Sequence, residues 1–147
     1  MRGALAALAV TAALAAPAAA RPRLEGPPSQ RAVLSWARGL HLHGWRYLGF
    51  NDREALFVTE PSNRFDPPRL RFWLRAERFG PGGEARSHKR LIEADCDSFR
   101  FRLIEAHAYA DNDLKGEVAA AARTAPWQDA ADPDVEHAIA FACMARG

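Results

Sequence analysis

This chain has little cysteine, almost no lysine and, beyond its first twenty residues, no long apolar run. The missing run leaves no later segment as a transmembrane candidate, because a helical span needs roughly 20 apolar residues. Nucleophile signatures are absent too: there is no G-x-S-x-G, and a disulfide would leave no cysteine free to pair with a histidine. Of the 20 basic residues only Lys89 and Lys115 are lysine, which with the abundant alanine reads as base composition rather than phosphate recognition.

What is present begins with a leader pattern. Met1-Arg2 is a short basic start, Ala4 to Ala15 an apolar run, and Ala18-Ala19-Ala20 a small-residue cleavage site. The run falls short of a span and Pro17 interrupts it, so residues 1–20 read as a signal peptide, with a mature chain starting at Arg21. No cysteine stands at the cleavage point to carry a lipid anchor. The expected product is exported, periplasmic or secreted, with surface attachment open. In an oxidising compartment Cys96 and Cys143 read as a disulfide and not as a reactive or metal-binding pair.

Without Arg2 the charge is nearly balanced, 19 basic against 18 acidic residues, where a nucleic-acid binder needs a large cationic footprint. Residues 21–28, rich in proline, read as a linker, and 29–147 as a single domain. Ser29 can cap a short helix in which Val33, Leu34, Ala37 and Leu40 fall at helical spacing, with Gly39 or Gly44 to end it. From Trp45 the pattern changes to short runs of aromatic and branched residues. Strands are predicted at 45–50, 55–60, 69–78, 87–96, 99–109 and 116–123. Their connections are too short for parallel crossovers, so the fold class is α+β: an antiparallel meander of about six strands.

A last helix starts with Asp132 as N-cap and Pro133 at the first position, with Asp134 and Glu136 at its positive end. Its apolar stripe contains Cys143, while strand alternation puts Cys96 on the side of Ile92 and Ala94. The bridge would staple helix to sheet, and closing a loop of about 48 residues stabilises by roughly 4 kcal/mol.

The ordered string Lys89-x-Leu91-x-Glu93-x-Asp95-Cys96, Tyr109, Gly116-x-Val118, Trp127, Pro133 and Cys143 resembles the surface-adhesin protein E-like domain, from about Trp45 to Cys143. The resemblance implies an antiparallel sheet tied by a disulfide to a C-terminal helix. It also implies noncatalytic adhesion, since the family takes its name from bacterial surface proteins that bind host extracellular-matrix proteins. The motif is mostly framework and brings no ligand site with it.

Other groupings read as structure. Asp111-Asn112-Asp113-Leu114-Lys115-Gly116 imitates a calcium loop, but Lys115 holds a ligand position and Ala122 stands where a bidentate Glu is required; it reads as a solvated turn. His41-x-His43 and Glu105-x-His107 are short of the three or four converging ligands zinc needs. Gly80-Pro81-Gly82-Gly83 lies between strands and reads as a hairpin connection. Glu93 and Asp95 face Arg100 and Arg102 as cross-strand ion pairs. One face of the third strand carries Arg69, Arg71, Trp73 and Arg75, opposite Leu70, Phe72, Leu74 and Ala76. Trp and Arg dominate interface hot spots, so Arg71, Trp73 and Arg75 are the candidate partner-binding residues. The expected partner is a protein or envelope component; no enzyme activity, cofactor or metal is expected, and homo-oligomerisation is left open.

Overall fold

The computed structural model describes residues 21–24, 28–62 and 68–145. The expected signal peptide, part of the linker and part of the Pro61–Pro68 loop lie outside the described residues. Six strands form an antiparallel meander in chain order: β1 Arg46–Phe50, β2 Glu54–Val58, β3 Arg69–Arg78, β4 Ser87–Asp95, β5 Arg100–Asp111 and β6 Lys115–Ala121. Sequence reading missed a seventh, β7 Gln128–Asp129, which pairs with the start of β5. Two residues are too few to show alternation.

Both helices have the expected caps. In α1, Gln30–Ala37, the Ser29 hydroxyl accepts from the Ala32 amide at 3.2 Å. In α2, Pro133–Met144, the Asp132 carboxylate accepts from the Asp134 amide at 3.0 Å. Each cap satisfies an amide that the first helical turn leaves unpaired. The Gly80–Gly83 stretch is a hairpin connection, with Gly82 and Gly83 at φ of 82° and 79°, values that a β-carbon disfavours.

The sheet has a core on each face. Toward α2, Leu70, Phe72 and Leu74 of β3 and Ile92 of β4 pack against Val135, Ala138, Ile139 and Ala142. Cys96 and Cys143 join at the rim of this core, with α-carbons 5.7 Å apart across 47 residues, so the bridge ties α2 to the end of β4. On the other face α1 lays Val33, Trp36 and Ala37 over Ala55 and Phe57 of β2 and over Phe79.

The stretch expected to be a linker is docked at its start. The Arg21 guanidinium donates to the Trp36 carbonyl and stacks on the Trp36 ring, the Trp36 indole N–H donates to the Pro22 carbonyl, and the Leu24 amide donates to the Phe79 carbonyl. These contacts are specific to the α1 layer, whose aromatic residue could not announce its partners by spacing.

Candidate partner-binding face

Alternation gives β3 two faces, and α1 decides what becomes of the second. Ala55 pairs with Glu77 and Phe57 with Arg75, so the face carrying the arginines is continuous with the floor beneath α1. The cover stops partway along β3. Arg75 lies instead under the stretch that follows α1, against His41 and Trp45, and Glu77 under Asn112 and Asp113, while Arg71 and Trp73 are part-buried and Arg69 is exposed.

Arg75 therefore corrects the expectation of an outward-facing arginine: it is 2% exposed. Its guanidinium donates to Glu77 at 2.7 Å, to the His41 carbonyl at 3.0 Å and to Asp113 at 3.1 Å, and lies over the Trp45 ring. Glu77, fully buried, accepts from the Asn112 side chain and from the Asp113 amide. Burial pushes the Glu77 carboxyl above its ordinary pKa, against the pull of Arg75. For Asp113 burial acts the same way, but hydrogen bonds from the His41 ring and amide and from Arg75 outweigh it and hold the pKa at about 2.

This network also overturns the solvated-turn reading of residues 111–116. Asn112 is 3% exposed, and its side chain donates to the Arg78 and Arg86 carbonyls as well as to Glu77. Asp113 and Leu114 both take positive φ, 67° and 54°, a conformation costly for residues with a β-carbon. Glu77, accepting the Asp113 amide, and the Ser87 hydroxyl, accepting the Leu114 amide, hold the turn there.

Beyond the cover the face is open. Glu93 is held between Arg71, at 3.1 Å, and Arg102, so the expected cross-strand pair with Arg102 is present and Arg71 joins it. Asp95 instead accepts from the Asp97 and Ser98 amides in the β4–β5 turn, and Arg100 pairs with Asp129 of β7. Trp73 is half-buried. The Lys89 ammonium lies 4.6 Å from its ring centre and the His107 ring 6.0 Å from it. His107 is bracketed by Glu105 and Glu117, whose hydrogen bonds raise its pKa, Glu105 most strongly.

Sequence reading missed Trp127 as a member of this surface. It lies between the guanidinium groups of Arg69 and Arg102, at 5.2 and 4.9 Å from the ring centre, and its carbonyl accepts from Arg100. The signal was a tryptophan just outside a regular element, but only the turn back from β6 to β7 brings it over the sheet. The open region thus presents two indoles, Trp73 and Trp127, each stacked with cations.

Neither cavity on the opposite, α2-facing side gathers a nucleophile with a base. Among the described residues no cluster of His, Cys, Asp and Glu could hold a metal ion, and no helix is long and apolar enough to cross a membrane.

A disulfide-stapled meander with a half-covered, aromatic and cationic face describes a domain built to present a surface. The chain belongs to the surface-adhesin protein E family, whose sequence model matches residues 45–144. The matched span contains the whole sheet, both cysteines and α2, whereas α1 and the docked Arg21–Leu24 precede it. Comparison with curated proteins found no match, and comparison with solved structures found none.

Proposed function

We propose that this protein is an exported, noncatalytic binding domain that engages a macromolecular partner through the open face around Trp73. One observation carries the reading: on the face α1 leaves uncovered, two tryptophans lie among arginines and a lysine, in a chain of an adhesin family. Tryptophan gives a large contact area at low entropic cost, and tryptophan and arginine are both enriched where binding energy concentrates. The contact residues are Arg71 and Trp73 as first read, with Lys89 and Trp127 added; Arg75 serves the same surface from below by fixing the turn beside it.

Host extracellular-matrix protein is the partner that the family resemblance favours. A periplasmic interaction protein with no host partner is the second reading, favoured by the absence of a cysteine at the expected cleavage point. Immobilised matrix proteins and a cell-envelope extract, each probed with the mature chain, separate the two. Trp73→Ala should weaken binding by more than about 1 kcal/mol, roughly fivefold or more, with little change in melting temperature. Unchanged affinity, or a variant that unfolds, removes Trp73 from the interface. Export itself requires a mature N-terminus within a few residues of Arg21, and full-length chain in the source membrane fraction would refute it.

A further inference from the structure

His107 lies between two carboxylates carried on two strands. Its Nδ1 faces Glu117 of β6 at 2.5 Å, and its Nε2 faces Glu105, two residues back on β5. A neutral imidazole has one N–H and one lone pair, so it can donate to only one of these carboxylates. The bare nitrogen would then meet an oxygen lone pair. The arrangement therefore requires the imidazolium, which donates at both nitrogens. Those hydrogen bonds, Glu105's first, hold the proton beyond the ordinary imidazole value of 6.5.

Among the described residues no other charge takes over either role. On β3, Arg75 shares the cross-strand row of Lys89 and His107 but is spent on Glu77 and Asp113. On β4, the Lys89 ammonium lies over the Trp73 indole and opposes the charge on His107, less strongly than the two carboxylates favour it. On β5, the Tyr109 ring stacks on His107 at 6.3 Å, and burial raises the pKa of its phenol, which stays neutral. On β6, the residue paired with His107 is Ala120. The Trp73 ring, 6.0 Å from the imidazole, thus has two cations beside it while His107 is charged and one when it is neutral.

Glu117 is the carboxylate placed to leave. Its side chain is 48% exposed against 33% for Glu105, and it sits where the β5–β6 register slips, leaving Val118 as the extra residue of a bulge. β6 is exposed along its whole length and pairs with β5 alone among the described strands. We infer that His107 is a proton latch on the partner-binding face: doubly protonated, it ties Glu117 to Glu105 beside Trp73, and losing one proton releases Glu117 and loosens the indole. The latch is shut at low pH and opens as pH rises through the raised pKa. Its use rests on the partner-binding reading, a partner being held through Trp73 on the acid side of the transition and released on the alkaline side.

Carbon-13 NMR of the histidine rings and fluorine NMR of the mature chain carrying 5-fluorotryptophan follow both ends of the latch across a pH titration, with no partner added. His107 should titrate about one pH unit or more above its midpoint in the Glu105→Gln, Glu117→Gln double variant, because opposite charges within hydrogen-bond reach shift a pKa by that order. The Trp73 resonance, assigned by its loss in Trp73→Phe, should move with the wild-type His107 midpoint and stay flat in His107→Gln. A His107 midpoint at or below 6.5, a midpoint unchanged in the double variant, or a Trp73 resonance that does not follow His107 would overturn the latch. The wild-type titration needs no charge-removing substitution, so a variant that folds poorly leaves the test standing. The partner-binding reading fails separately, in the affinity of Trp73→Ala.

Discussion

Replacing Arg75 with methionine should be among the most damaging single changes in this protein, although the residue reads on paper as one more surface arginine. Methionine keeps much of the side chain's length and apolar contact but removes all its donors. Glu77 would then be a fully buried carboxylate with only Asn112 and the Asp113 amide for partners, and Asp113 would lose one of its hydrogen bonds. Removing one member of a buried ion pair typically costs about 3–5 kcal/mol, mostly from the charge left behind. A domain of this size has only about 5–15 kcal/mol in total. Urea unfolding followed by tryptophan fluorescence is the suitable assay, because an uncharged denaturant leaves the protein's exposed ion pairs unscreened. With a slope of about 2 kcal/mol per molar, the midpoint should fall by roughly 2 M. The double variant Arg75→Met, Glu77→Leu should recover a large part of that loss, since the stranded charge is gone. A single-variant shift under about 0.5 M, or a double variant worse than the single, would refute the buried-pair account.

Two further changes test other parts of the fold. Cys96→Ser with Cys143→Ser frees a 47-residue loop in the unfolded chain and should lower stability by about 4 kcal/mol, and the native protein should resist thiol reagents until reduced; an unchanged melting temperature would count against the staple. Acid should also destabilise the protein through Asp113. Its folded pKa, about 2, lies below the unfolded value near 4, so its stabilisation is complete above about pH 4 and is lost as pH falls toward 2. Glu93 and Asp95, also lowered, act in the same direction, while Glu77, raised by burial, acts oppositely. Asp113→Asn should remove roughly 2 kcal/mol at pH 7 and flatten the urea midpoint between pH 4 and 2; parallel curves for wild type and variant would exclude this residue as the source.

Local chemistry determined much of this protein. Alternation put Leu70, Phe72 and Leu74 on one face of β3, Ser29 and Asp132 were legible as caps, and the short turns required an antiparallel meander. Cys96 and Cys143 could be paired because they are the two cysteines of a chain that opens on a leader pattern, and both lie at the rim of the core. Alternation, caps and turns are matters of residues a few positions apart, and period and capping are properties of that range. What alternation cannot tell is where a second layer covers a face and where it stops. Arg71, Trp73 and Arg75 are equivalent by spacing, yet the chain after α1 and the β5–β6 turn enclose Arg75 and leave the other two part-exposed. Asn112 and Asp113 look like an ordinary polar turn, yet the hairpin from β5 to β6 carries them over Glu77. Trp127 joins the face only because the chain doubles back along β5. Burial of a polar side chain is decided by partners 30 or more residues away, so only the tertiary structure could separate the arginine that holds the fold from the aromatic surface left for binding.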